Sequence, residues 1–243
     1  MKIKKYHYSM AHVNGPIYLI ADIHSNYPAL QSVLAEIPTD SLILCAGDIT
    51  GYYVNPTEVC ELLRGRNVHC ILGNHDKYII GSLNYPTGRE GKYRVLSSRT
   101  ALSAKQLKWL STLPDIISIE IDFPCSNKKN IVIDIAHGSP RNVEEYLYPD
   151  TDICFLDDYP ADVLILGHTH HPMVREARNT LIVNPGSVGQ ARDRIPGACY
   201  AVLDVVKNMV EFHRVSYSVS EYQGLLESCD VHSEMINILS REK

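Results

Sequence analysis

The chain repeats one pattern, a short run of apolar residues that stops abruptly at polar ones. Residues 17–21 end at Asp22, 41–46 at Gly47-Asp48 and 68–72 at Gly73-Asn74-His75. Residues 131–136 end at His137, 163–166 at Gly167-His168, and 181–183 at Asn184-Pro185-Gly186. Runs of that length, rich in Ile, Val and Leu, predict buried strands rather than helices. Between them, 28–36 carry Leu30, Val33 and Leu34, with Ile37 just beyond, at the spacing of one helix face. Asn55-Pro56 reads as the cap and first residue of a second helix over 57–63. A third spans 103–113, with Ser103 as cap and Pro114 as stop. Residues 116–121, 199–204 and 209–215, with a turn at Lys207-Asn208, predict hairpin strands. Strands alternating with helices predict a layered α/β domain with a mixed sheet. Residues 84–99 and 184–196 show no period, and 218–243 reads as one or two amphipathic helices.

With 243 residues, 45% of them hydrophobic and 21% charged, the chain can bury a full core as one domain over 1–243. Residues 1–16 stand outside the strand pattern as an N-terminal extension. A net charge of -5 offers no field to hold a polynucleotide by counterion release, so long nucleic acid is not an expected partner. No stretch approaches the roughly 20 apolar residues of a membrane span. The seven cysteines form no C-x-x-C pair, and several lie in apolar runs. They predict thiols in a reducing, cytoplasmic setting rather than disulfides. Oligomeric state has no signature.

The chemistry lies at the strand ends, where ligands bind in open α/β sheets. Five of them carry Asp22 and His24, Asp48, Asn74 and His75, His137, and His168 and His170. Singly, an Asp-x-His after a strand is often only a turn with an Asx hydrogen bond. His168 and His170, at i and i+2, can face one site, the alternative being a buried hydrogen-bonded pair. Together they form a mixed His/Asp/Asn set, too large for one tetrahedral ion and suited to two ions sharing a carboxylate. Nitrogen donors favour manganese, iron, zinc or nickel over magnesium or calcium.

These motifs resemble those of the calcineurin-like metallophosphoesterases: Asp22-Ile-His24, Gly47-Asp48, Gly73-Asn74-His75-Asp76, Ala136-His137-Gly138 and Gly167-His168-Thr169-His170, in order. The run from Asn184 to Gln190 with Arg192-Asp193 is similar to the small branch that includes YfcE-like phosphodiesterases. The resemblance implies a four-layer αββα sandwich with mixed sheets. It implies two divalent ions, manganese foremost, one held by Asp22, His24 and His170 and the other by Asn74, His137 and His168. Asp48 would bridge them. It further implies that His75 acts as general acid or electrostatic stabiliser, and that a metal-bridging hydroxide attacks the phosphorus of a small phosphorylated substrate. Asp76 would orient His75 through a hydrogen bond or cap a helix. A non-catalytic scaffold of the same fold is the alternative.

Substrate choice falls to the segments without a period. Residues 84–99 read as a lid whose arginines, Arg94 among them, meet phosphate and whose tyrosines stack on a base, or as a solvated loop. Arg192 and Arg141 are two further candidate phosphate contacts.

Overall fold

In a computed structural model, described for residues 3–10, 13, 15–122, 130–205 and 207–241, the chain runs through β1 (Lys5–Met10), β2 (Ile17–Ile20), α1 (Tyr27–Glu36), β3 (Ile43–Cys45), α2 (Pro56–Gly65) and β4 (His69–Cys70). It continues through α3 (Asn74–Ile80), α4 (Glu90–Tyr93), α5 (Val95–Ala101), α6 (Ala104–Thr112), β5 (Ile116–Asp122), β6 (Asn130–Ala136) and β7 (Val163–Ile165). It ends with β8 (Pro172–Ala177), β9 (Thr180–Pro185), β10 (Ala198–Asp204), β11 (Met209–Val215), α7 (Val219–Ser228) and α8 (Ser233–Asn237). Cys125 and His12 lie outside the described residues.

Two mixed sheets result, in the order β1-β5-β6-β7-β9-β8 and β11-β10-β2-β3-β4. Successive side chains of a strand point to opposite faces, and here both faces are covered. Ile17, Leu19 and Leu44 enter the core between the sheets with Ile119, Ile133 and Ile165. Ile20, Ile43 and Cys45 point the other way, into a core shared with Leu30 and Val33 of α1 and Val59 and Leu63 of α2. Burial on both faces is why these strands read as unbroken apolar runs. Trp109 of α6 packs at the margin of that second core.

The free face of the six-stranded sheet is covered by residues 138–162, which anchor Leu147, Ile153 and Leu156 on it. That outermost layer carries a single 3-10 turn, Cys154–Leu156, where the sandwich expectation implied helices. Apolar anchors at irregular spacing suffice to seal the sheet without helical periodicity.

The N-terminal extension contributes an edge strand, β1, parallel to β5. Its Lys5 ammonium stands 3.0 Å from the buried Asp134 carboxylate, which also accepts from the Tyr159 hydroxyl at 2.6 Å. Residues 84–99 hold helix α4 and the start of α5 rather than an open loop. Glu90 organises them by accepting from the amides of Leu96 and Ser97 and from the Tyr85 hydroxyl. Among the described residues no helix is long and apolar enough to cross a membrane.

Candidate metal centre

The polar strand ends converge at one rim. His24 and His170 bring their Nε2 atoms within 3.1 Å of each other. Asp48 Oδ2 stands 3.5 Å from His24 Nε2 and 3.3 Å from His137 Nε2. His137 Nε2 is 3.1 Å from Asn74 Oδ1, and His170 Nε2 is 3.7 Å from Asp22 Oδ1. Candidate donor atoms group as Asp22, His24 and His170 and as Asp48, His137 and His168; His75 also falls within reach of His24 and Asp48. All are buried.

The turns that present these side chains are strained. Asp22, His24, Asp48, His168 and His170 all have positive φ, between 49° and 69°. Such a conformation costs a non-glycine residue about 1–3 kcal/mol and persists only where the surroundings fix it. Here the loops lock one another. The amides of His24 and Ser25 donate to the carbonyls of Asp48 and Ile49, and the Asp22 carbonyl accepts from Gly189 N–H and the Ser187 hydroxyl. Gly189 passes so close that a Cβ there would stand 1.9 Å from the Ile23 carbonyl oxygen.

Three imidazoles are held through the ring nitrogen remote from the rim. Nδ1 of His24 meets the Thr50 carbonyl at 3.2 Å, that of His137 the Ala46 carbonyl at 2.7 Å, and that of His170 the Gln190 carbonyl at 2.8 Å. A carbonyl only accepts, so each Nδ1 carries a proton, and a neutral ring then directs its Nε2 lone pair into the cluster. This is the backbone partner that orients metal-ligating histidines generally. Burial drives the pKa values of His24 and His170 well below the ordinary imidazole value, so both rings are neutral and their lone pairs face each other. Burial and neighbouring His137 likewise lower His168 to about 3.

The carboxylates divide. Burial raises Asp22 to about 7, with Asp48 adding to the shift. For Asp48 burial acts upward too, but the facing His137, His75 and His24 outweigh it and hold the group well below the usual range. Burial opposes charge on His137, yet Asp48 and Asp22 push it up to about 9.

This arrangement fits divalent cations. Two buried polar atoms at the rim, Asp22 Oδ2 and His168 Nε2, have no hydrogen-bond partner, and an unpaired polar atom buried in this way costs about 1–3 kcal/mol. The opposed lone pairs of His24 and His170 need a positive charge between or beside them. Four imidazoles, two carboxylates and one amide oxygen form a donor set for a transition metal rather than for calcium.

His75 stands at the side, on the first turn of α3, where its backbone N–H donates to Asp48 Oδ1 at 2.9 Å. Rings of Tyr52, Tyr93 and His24 pack around it at 4.5, 4.6 and 4.9 Å between centroids. Burial lowers it to about 4, so at neutral pH it is a neutral imidazole. Asp76 does not orient it. The Asp76 carboxylate accepts from the amides of Gly73, Ile49 and Thr50 and from the Thr50 hydroxyl, tying the start of α3 to the Asp48 loop. Of the two roles expected for Asp76, the hydrogen bonds assign the structural one, at the third helical position rather than the cap.

Arg192 lies beside the cluster, its guanidinium donating to Gln190 Oε1 at 2.9 Å and to the Tyr52 hydroxyl at 3.3 Å. Arg94 is turned away. It donates to the Cys229 carbonyl at 3.3 Å, because its left-handed backbone ends α4 and points the side chain at the C-terminal helices. Arg141 pairs with Glu145 and lies over the Phe155 ring at 3.7 Å, half exposed. The sequence reading missed Tyr52, for which the Tyr52-Tyr53 pair close behind Gly47-Asp48 was the available signal. It reached Tyr93 only as one of the tyrosines of 84–99, and Gln190 only as the end of the run from Asn184.

Two mixed sheets with a buried His/Asp/Asn cluster at their rim define a layered α/β protein with a candidate metal centre. The profile of the calcineurin-like phosphoesterase superfamily domain matches residues 16–208, and the chain belongs to that family. It is 34% identical over 240 residues to an uncharacterized protein of Methanocaldococcus jannaschii, covering 89% of this chain and 94% of that one. A metallophosphoesterase structure from Sphaerobacter thermophilus superposes with a TM-score of 0.75 at 28% identity, covering 93% of this chain and 99% of that one. A symmetrical bis(5'-nucleosyl)-tetraphosphatase of Baumannia cicadellinicola is 29% identical over 143 residues, 56% of this chain. The chain spans about half the length of that tetraphosphatase, 47%.

Proposed function

We propose that the protein hydrolyses a phosphodiester or phosphomonoester bond of a small, nucleotide-like substrate with two divalent ions, manganese foremost. Asp22, His24 and His170 would hold one ion, Asn74, His137 and His168 the other, and Asp48 both. The observation that carries this reading is the pair of opposed Nε2 lone pairs of His24 and His170, 3.1 Å apart beside the unpartnered Asp22 Oδ2. When bound, the ions supply Lewis acidity that polarises the phosphoryl group and activates water for attack. The chain's own residues do the rest. Backbone carbonyls keep the Nε2 lone pairs of His24 and His170 aimed before any ion arrives. Neutral His75 donates a hydrogen bond to a phosphoryl oxygen, and acts as stabiliser in preference to proton donor, since a pKa of about 4 leaves little acid form at neutral pH. Arg192 offers a guanidinium to the same phosphoryl group, held in place by Tyr52 and Gln190. The name of the Baumannia relative supports a nucleotide-like substrate. The acidic chain and its buried thiols fit a cytoplasmic setting with no long nucleic acid as partner.

The test is hydrolysis of bis-p-nitrophenyl phosphate by purified protein with added manganese, together with elemental analysis. Activity that disappears in Asp48→Asn is the expected result. Trace metal loading with no hydrolysis would sink the reading in favour of a scaffold.

A further inference from the structure

The segment over the six-stranded sheet exposes large aromatic rings beside the candidate metal centre. Leu147 is buried in the core under that segment, while its neighbours Tyr146 and Tyr148 point outward and remain 45% and 37% exposed. The Tyr146 ring lies over the His168 ring with centroids 3.9 Å apart. Tyr148 stacks on Tyr146 at 5.6 Å with the planes 6° apart, and His171 meets Tyr148 edge-on at 5.8 Å. Four rings thus form a row that starts at a residue of the centre and runs out to solvent.

The row is fixed in advance of any ligand. Tyr148 N–H donates to Thr151 Oγ1 at 2.9 Å, its carbonyl accepts from Thr151 N–H at 3.0 Å, and Arg175 donates to the Thr151 carbonyl. At the other end, the Ser139 hydroxyl and the Arg141 guanidinium both hold Glu145. Gly138 lets the segment turn close, since a Cβ there would stand 2.5 Å from the Val143 carbonyl oxygen. Two exposed tyrosines on a rigid backbone present apolar faces to water at a free-energy cost that a flat ligand would relieve. Because every nucleobase has a π-face, such rings bind bases by stacking with little regard to sequence.

We infer that Tyr146 and Tyr148 form a stacking platform for the aromatic ring of the substrate, most naturally a nucleobase, and so determine specificity at this centre. This rests on the phosphoesterase reading above. A base seated on these rings lies on the His168 side of the cluster, with its phosphate ester directed toward the centre. Arg192, held by Gln190 and Tyr52 next to His170, then meets the phosphoryl oxygens.

The experiment compares two substrates of the manganese-loaded protein that share one reacting diester: adenosine 5′-methyl phosphate and ribose 5-methyl phosphate, which lacks the base. The wild-type protein is expected to prefer the adenosine diester about tenfold or more in kcat/KM, the size of effect that one stacked base gives. Tyr148→Ala is expected to abolish most of that preference through KM, and Tyr148→Trp to restore it. Equal kcat/KM for the two diesters in wild type, or an unaltered preference in Tyr148→Ala, would overturn the platform while leaving the phosphoesterase reading intact. Failure to hydrolyse either diester or bis-p-nitrophenyl phosphate would overturn both.

Discussion

Gly73 presses on Asp48 so closely that a Cβ added to it would stand 2.0 Å from Asp48 Oδ1. The carboxylate proposed to bridge the ions is thus positioned by the absence of a side chain 25 residues further along the chain. Gly73→Ala must push the carboxylate or the start of α3 aside. Overpacking of this kind costs about 1–3 kcal/mol. The expected outcome is at least a tenfold loss of hydrolysis and of manganese affinity, followed by calorimetric titration. Gly65→Ala, where nothing lies within 4 Å of the added atom, serves as the control and is expected to keep both.

Asp76 separates a structural role from a catalytic one. Its four hydrogen bonds join the Gly73 turn to the Ile49-Thr50 turn. Asp76→Ala leaves buried amides unpaired and is expected to destabilise the fold by about 2–4 kcal/mol, read from urea denaturation. The pH profile of the remaining activity should match that of wild type. A shifted profile at unchanged stability would mean that Asp76 acts through His75 after all.

Metal uptake should be coupled to proton release. In the ion-free protein His137 keeps its proton up to about pH 9 and Asp22 up to about pH 7. Both must lose it to serve as donors, so affinity is expected to rise with pH up to about 9. Titrations at pH 7 in buffers of different ionisation heat should give different apparent enthalpies, and identical heats would contradict the coupling. The sign for folding follows from the same shifts. Both pKa values are raised above those of the unfolded chain, so their contribution is complete at low pH and is lost as pH rises through the folded values. The ion-free protein should therefore melt at a falling temperature between about pH 6.5 and 9, the His137 window, and added manganese should reverse that fall.

Arg192 is the arginine, among the three candidates, that the fold brings to the cluster. Arg192→Ala is expected to lower kcat/KM about 10–100-fold, as expected when a charge-assisted contact to phosphate is removed, with metal content unchanged. Arg94→Ala should leave KM alone and act on stability, through the lost contact with the Cys229 carbonyl. Steady-state kinetics on both variants decides whether this division is right.

Much of the scaffold was legible because strand burial writes itself into composition. The runs at 17–21, 131–136 and 163–166 correspond to β2, β6 and β7, and the Lys207-Asn208 turn joins β10 to β11 as expected. The helices at α1, α2 and α6 followed from caps and apolar spacing, as did the helical C-terminal tail. Strands β1 and β8 were not legible. β1 is an edge strand with its side chains largely exposed, and β8 alternates only weakly, so neither carries an apolar run. Helix α3 was legible only as a helix that Asp76 could cap, because its first turn is spent on Asn74, His75 and Asp76, polar residues whose burial only the site explains.

The sequence by itself determined the candidate donor set, because residues of metal-ligand type sit at strand ends, and strand ends are set by local hydrophobic pattern. Tertiary structure alone decided how those donors face one another, which arginine reaches them, and where Asp76 spends its hydrogen bonds. Each of these depends on contacts between segments far apart in the chain: Ala46 with His137, Gly73 with Asp48, Tyr52 with Arg192. Local periodicity fixes which face of a strand or helix is buried, but the partner it is buried against is settled only when the sheets close.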